Sequence, residues 1–89
     1  MQHIVKRQGH TEEFDSRKIY AASYAACRNA HLSEMQAEHI AETVTAHLEK
    51  WIDDKPQITS DEIFKQVAEI LRELHSDAAF LYETHRDIS

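Results

Sequence analysis

The sixteen residues from Ile4 to Ile19, I-V-K-R-Q-G-H-T-E-E-F-D-S-R-K-I, guide the interpretation of the whole chain. Two short alternating segments flank Gln8-Gly9, where glycine allows the positive φ of a tight turn. Asp15 then supplies a carboxylate of the kind that caps the first turn of a helix. The stretch therefore predicts a β-hairpin followed directly by a helix.

Basic charge is concentrated in this opening stretch. Up to Lys18 the formal balance is +1, whereas the remaining 71 residues have a balance of −7, within a net charge of −6. A local cationic area on an acidic protein favours a small anion over a long polyanion. The acidic total also argues against general nucleic-acid or anionic-membrane binding, because phosphate contacts need many Lys and Arg side chains.

Length and composition fit one modest domain over residues 1–89, with a hairpin over 1–14 and a helical body over 15–89. The single Cys excludes an internal disulfide and a multi-Cys zinc site, and the single Gly excludes a Gly-rich phosphate loop. No apolar run approaches the about 18 residues of a membrane span, and no signal-peptide pattern is present. We therefore expect a cytoplasmic protein.

The hairpin strands are predicted at His3–Arg7 and His10–Phe14, and a two-residue loop would pair Val5 with Glu12. Ile58 is expected to add a short extended pairing beside them. Capping and periodicity predict the helices. They are Ser16–Asn29, a second helix from the Ser33 cap to Asp53, a third over Ser60–His75 and a short fourth after Ser76-Asp77.

Apolar periodicity also predicts which helix faces point inward. The stripe on the first helix is Ile19, Ser23, Ala26, Cys27 and Ala30. On the second it is Ile40, Thr43, Val44, His47, Leu48 and Trp51. On the third it is Ile63, Val67, Ile70, Leu71 and Leu74.

Three motifs in this order resemble the ATP-cone domain, a family known from ribonucleotide reductase large subunits and from a zinc-ribbon repressor of reductase genes. The family opens roughly with V-x-K-R-D-G-x-x-E-x-F-D-x-x-K-I, which matches the stretch quoted above. Its middle signature matches Ile58–Ile63, read as I-T-S-D-E-I. Its closing pattern follows Ala79, Tyr82 and Arg86, although His85 replaces the usual aromatic residue and Gln8 the usual Asp.

The resemblance implies a mostly α fold with a small β-hairpin, a four-helix bundle capped by a short two- or three-stranded sheet. It also implies an ATP- or dATP-binding allosteric sensor without catalytic activity, with Mg²⁺ accompanying the triphosphate. Nucleotide binding would be coupled to self-association or to docking of a protein partner, such as a reductase subunit or a regulator. We expect a free-standing cone.

Carried over by residue, the resemblance makes Lys6, Arg7 and Lys18 the phosphate ligands. Glu12 would contact ribose, and Thr59 or Ser60 would present a hydroxyl beside the base or sugar. The adenine wall would consist of Val5, Phe14, Ile19 and Ile63. The chemistry agrees with these roles, since Arg offers a planar fork, Lys a mobile charge and a helix start a favourable dipole. Arg17 has no counterpart in the motif and is expected at the surface.

Other interpretations remain beside this one. Without the family motif, Lys6-Arg7 is most often a solvated strand edge, Thr59 is first a capping residue, and Ile63 is a core residue. The chain shows no nucleophile–base set, so we expect no catalytic residues and no ATP hydrolysis. His39 and His47 lie two helical turns apart, too far to share a metal, and no metal site is expected.

Two further functions compete with nucleotide sensing. One is a helical protein–protein interaction module that has lost its ligand, against which the retained charged set of Lys6, Arg7, Glu12 and Lys18 argues. The other is a DNA-binding repressor, against which the acidic charge and the missing zinc-ribbon cysteines argue. We therefore predict no direct nucleic-acid binding.

Overall fold

The computed structural model describes residues 3–5, 11–13, 15–55 and 58–86 of the chain. The elements in these ranges are β1 His3–Val5, β2 Thr11–Glu13, α1 Ser16–Asn29, α2 Glu34–Asp53, β3 Ile58–Thr59, α3 Ser60–Leu74 and α4 Ser76–Arg86. Within the described ranges the protein is mostly helical and has four helices, which confirms that part of the predicted fold class.

The three short strands pair in the order β2-β1-β3, with β1 antiparallel to β2 and parallel to β3. Val5 pairs with Thr11, so the predicted pairing of Val5 with Glu12 is wrong by one residue. A glycine marks a turn but does not fix the number of loop residues, and a slip of one residue changes every cross-strand partner. That the sheet caps the helical body stays a prediction.

A tight corner joins α1 to α2. The N–H of His31 donates to the carbonyl of Arg28 at 3.0 Å, and the N–H of Leu32 donates to the carbonyl of Cys27 at 3.1 Å. These two bonds form a Schellman motif, which requires a left-handed residue after the helix. His31 takes that position with φ of 69°. The corner directs α2 back along α1.

The core lies where the four helices and β3 meet. Its buried apolar residues are Cys27, Ala37, Val44, Leu48, Ile52, Ile58, Ile63, Val67, Ile70, Leu71, Ala78 and Ala79. The predicted stripe of α1 is confirmed, with Ser23, Ala26 and Cys27 buried and Ile19 and Ala30 half-buried. Burial also raises the pKa of the Cys27 thiol, as expected of a small core residue.

The predicted inward face of α2 is only partly right. Val44 and Leu48 are buried, but the other fully buried positions are Ala37, Ala41 and Ile52, and His47 is exposed. Small alanine side chains let α1 approach α2 closely, so this stripe packs inward although a neighbouring stripe contains larger apolar residues. The residues at its edge, Ile40, Thr43 and Trp51, are half-buried.

Two side-chain contacts join α3 to α4. The rings of Phe64 and Tyr82 stack with centroids 5.0 Å apart, and Arg72 forms an ion pair with Glu83. The predicted burial of Leu74 is wrong, because 42% of this residue is exposed at the end of α3. No helix in the described ranges is both long enough and apolar enough to cross a membrane.

Candidate functional site

The site begins at the N-terminus of α1, where Asp15 is the N-cap as predicted. One carboxylate oxygen of Asp15 accepts from the backbone N–H of Arg17 at 3.0 Å and from its Nε at 3.2 Å. The second oxygen accepts from Nη2 of Arg17 at 3.3 Å. The side-chain hydrogen bond from Arg17, followed by the backbone bond, lowers the pKa of Asp15 below its ordinary value of 3.8. The negative charge of the cap is therefore already matched by Arg17.

Lys18 lies in the same helical turn and is exposed. Its ammonium group has no ion-pair partner among the described residues. The first turn of α1 contains no acidic residue, whereas the first turns of α2, α3 and α4 each contain at least one. The helix dipole and the Lys18 charge thus act in the same direction, which favours an anion at this end of α1.

Strand pairing brings the two sequence motifs together. Val5 of the opening motif lies opposite Thr59 of the middle motif in the parallel β1–β3 ladder, and Ile4 lies opposite Ile58. On the other side of β1, Ile4 lies opposite Glu12. Because paired strands are about 5 Å apart, the backbones at Val5, Glu12 and Thr59 belong to one small area.

Thr59 and Glu62 form the predicted capping box at the start of α3. The Thr59 hydroxyl accepts from the N–H of Glu62 at 3.1 Å and donates to the Glu62 carboxylate, also at 3.1 Å. The carboxylate accepts in addition from the N–H of Thr59 at 3.4 Å. The hydrogen of the Thr59 hydroxyl is therefore used within the protein. The half-buried Ser60 comes directly after it and makes no side-chain hydrogen bond to another described residue.

The two apolar candidates that the structure describes differ in exposure. Ile19 is half-buried and packs against the edge of the core cluster at the start of α1. Ile63 is only 5% exposed and belongs to the core cluster. Ile63 can therefore form the floor of a site near Thr59, whereas Ile19 keeps an accessible surface.

Three predicted site residues, Lys6, Arg7 and Phe14, lie outside the described residues, so their roles stay predictions. The structure describes the strand register of Val5 and Glu12. The sequence interpretation missed the contact of Arg17 with Asp15, although an acid two residues before a base at a helix start was a signal for it. In the described part of the chain, no group of three or more His, Cys, Asp or Glu side chains is arranged to hold a metal ion.

Comparison with known proteins gives a consistent result. The family model for the ATP cone domain matches residues 2–88. A transcriptional repressor NrdR from Gloeothece citriformis is 32% identical over 75 residues, which cover 84% of this chain and 41% of the relative. A transcriptional repressor NrdR from Carboxydothermus hydrogenoformans is 29% identical over 90 residues, with 97% and 57% covered.

The chain spans about half the length of these curated relatives. The prediction of no direct nucleic-acid binding is wrong for this group of proteins, because the relatives are transcriptional repressors, a class that acts on DNA. The physical reason is that the net charge of one domain does not limit what a longer protein containing it can bind. The match over residues 2–88 shows that this chain belongs to the ATP cone domain family, whose members are in general nucleotide-binding regulatory modules.

Proposed function

We propose that this domain binds ATP or dATP and acts as an allosteric sensor without catalytic activity. The observation that carries the proposal is the parallel pairing of β1 with β3, which places Val5 of the opening motif opposite Thr59 of the middle motif. Residues far apart in sequence thereby meet beside the cationic start of α1. The family's general function as a nucleotide-binding regulatory module supports this assignment.

The proposed phosphate ligands are Lys6, Arg7 and Lys18. Lys18 is exposed and has no ion-pair partner in the described ranges, while Arg17 matches the charge of Asp15. A triphosphate carries several negative charges, so Lys side chains and a helix N-terminus lower its free energy there. Mg²⁺ would be held mainly by phosphate oxygens and water, as is usual for this ion.

The remaining contacts define the nucleoside part of the proposed site. Val5, Phe14 and Ile19 would contact adenine, with Ile63 beneath them, and Glu12 would accept from the ribose hydroxyls. Ser60 is the better candidate for the hydroxyl contact, because Thr59 already donates to Glu62. In this proposal the hairpin over 1–14 acts as a lid and its sheet caps the helical body.

The regulatory output follows from coupling between the ligand and an assembly. Nucleotide binding would hold the lid against the helices and thereby favour one state of self-association or partner docking. The relatives are transcriptional repressors, so we propose that the output is control of transcription in the ribonucleotide reductase system. The sequence offers no nucleophile–base set, so the proposal includes no turnover of the nucleotide.

Calorimetry with a matched pair of variants tests the proposal. ATP and dATP, each with Mg²⁺, are titrated into the wild type, into Lys18→Gln and into Arg28→Gln. The two variants remove one positive charge from opposite ends of the same helix, about 15 Å apart. We expect micromolar affinity in the wild type, at least about tenfold weaker binding in Lys18→Gln and less than about twofold change in Arg28→Gln.

Two results would overturn the assignment. Equal weakening in both variants would show that only net charge matters and would remove the phosphate site from the start of α1. No heat up to millimolar nucleotide, from protein shown folded by circular dichroism, would favour the alternative of a helical interaction module that binds no nucleotide. Release of inorganic phosphate during long incubation would contradict the non-catalytic part of the proposal.

A further inference from the structure

A pair of tyrosines lies on the side of α1 that meets α2. The rings of Tyr20 and Tyr24 are nearly parallel, with centroids 6.3 Å apart and an interplanar angle of 10°. Both residues are half-buried, so each keeps part of its surface in contact with solvent. A stacked pair at this spacing offers two flat π surfaces, which attract cations.

Two carboxylates from α2 stand beside this pair. Glu38 and Glu42 are one helical turn apart, and both are exposed. Partial burial, followed by the charges of Glu38 and Glu42, raises the pKa of Tyr20, which shows that both carboxylates lie near its phenol group. Neither carboxylate forms an ion pair within the described part of the chain.

This arrangement is electrostatically unfavourable when it stands alone. Like charges four residues apart on a helix cost a few tenths of a kcal/mol, and the tyrosine faces add negative potential rather than compensation. A cation placed over the rings would gain from both. The four residues Tyr20, Tyr24, Glu38 and Glu42, called here the tyrosine–glutamate surface, therefore have a defined chemical complement.

We propose that the tyrosine–glutamate surface docks an arginine-bearing segment of a partner protein. The argument is charge complementarity combined with shape. A guanidinium group is planar, stacks on an aromatic ring and offers a fork of donors to a carboxylate. A lysine ammonium satisfies only the charge. Phosphate-rich partners are disfavoured, because two unpaired carboxylates repel them.

Tyr and Arg are enriched at the energetic centres of protein interfaces. The surface combines helices α1 and α2, so it is formed only when these helices pack in the folded domain. Its residues are separate from the proposed nucleotide contacts. A partner docked here would therefore bind whether or not the nucleotide proposal holds.

The test uses a fluorescein-labelled peptide with four Arg residues separated by Gly-Ser, and a matched peptide with Lys in place of each Arg. Anisotropy at low ionic strength gives affinity, and ¹⁵N NMR titration gives location. The double variant Glu38→Gln/Glu42→Gln is compared with Glu69→Gln/Glu73→Gln. The control pair has the same spacing and is also exposed, on α3, so the change in net charge is identical.

We expect the Arg peptide to bind more tightly than the Lys peptide and to shift amide signals of Tyr20, Tyr24 and their neighbours on α2. The Glu38/Glu42 variant should weaken the Arg peptide at least about tenfold, and the Glu69/Glu73 variant less than about twofold. Tyr20→Leu should narrow the preference for Arg over Lys. Thermal unfolding of each variant establishes that the fold is retained.

Three outcomes would overturn the proposal. Equal weakening by the two double variants would show a nonspecific attraction between acid and base. Amide shifts centred on α3 or α4 would place binding elsewhere. Absence of binding by the Arg peptide at low ionic strength would show that the surface accepts no such segment.

Discussion

The Nδ1 atom of His75 accepts a hydrogen bond from the backbone N–H of Ala78 at 3.2 Å, so the residue that ends α3 also caps α4. Its carbonyl accepts from the N–H of Ala79 at 3.1 Å and starts the backbone bonds of α4. One imidazole thus serves the junction between two helices. A side-chain acceptor is required, because the first amides of a helix have no partner within it.

Replacing His75 by Ala should lower the free energy of unfolding by about 1 kcal/mol, the usual effect of losing an N-cap. His75→Asn should retain most of the stability, since Asn is a good cap. Urea denaturation measures both. His47→Ala on the exposed face of α2 is the control and should change the stability by less than about 0.5 kcal/mol. Equal losses from His75→Ala and His75→Asn would show that the cap contributes nothing.

The corner after α1 contains a residue in a conformation that suits glycine. His31 has φ of 69° and is exposed, so its side chain gains little that would offset the left-handed backbone. His31→Gly should therefore raise the free energy of unfolding by about 0.5–1 kcal/mol. His39→Gly, at an exposed position inside α2, should lower it by about 1 kcal/mol. Thermal and urea unfolding of the pair test the sign, and a loss in both variants would contradict the prediction.

The cap at Asp15 should make stability depend on acid pH. Hydrogen bonds from Arg17 lower the pKa of Asp15 in the folded protein below its ordinary value of 3.8. A depressed pKa stabilises the fold above the unfolded-state value, and this contribution is lost as the pH falls through the folded-state value. The wild type should therefore exceed Asp15→Asn in stability at neutral pH, and the difference should shrink below pH 3.8. Urea unfolding across this range measures the difference, and a difference independent of pH would contradict the prediction.

The buried face of α1 contains a hydroxyl with no partner. Ser23 is fully buried, and its Oγ forms no hydrogen bond within the ranges that the structure describes. Ser23→Ala removes the unsatisfied group and should raise the free energy of unfolding by about 1 kcal/mol. Cys27→Ala on the same face leaves a small cavity and should lower it by about 1 kcal/mol. If Ser23→Ala is also destabilising, the hydroxyl has a partner in solution.

Thr59 separates the roles of cap and ligand. Asp is as good an N-cap as Thr, so Thr59→Asp should keep stability within about 0.5 kcal/mol of the wild type. Its added carboxylate should weaken ATP binding at least about tenfold, because it repels the phosphates of the proposed site. Thr59→Ala should show the opposite pattern, with about 1 kcal/mol less stability and nearly unchanged affinity.

Urea unfolding and calorimetry on the same samples distinguish the two patterns. Loss of binding in Thr59→Ala, without loss of stability, would show that the Thr59 hydroxyl contacts the ligand and that Ser60 does not replace it.

Local chemistry explains which parts of the fold were predictable. The caps at Asp15, Ser33 and Thr59 were predicted and are present, because each depends on a side chain and an amide two or three residues away. The stripe of α1 was also predicted correctly. Its small side chains and its apolar periodicity identify the same face.

The errors concern choices between neighbouring alternatives. On α2, two adjacent stripes contain apolar residues, and the stripe through Ala37 and Ala41 is buried because α1 approaches it closely. The hairpin register differs by one residue from the prediction, because loop length cannot be obtained from one glycine. Leu74 ends α3 at the surface because the chain turns at His75 into α4.

The sequence by itself determined the four helices, their caps and the family, since these depend on local spacing and on motifs in order. Only the tertiary structure decided that Val5 lies opposite Thr59 and that Glu38 and Glu42 stand beside the ring of Tyr20. The first relationship depends on parallel strand pairing and the second on the rotation of α2 against α1. Both are set by packing between elements distant in the chain, where local rules leave several arrangements of similar free energy.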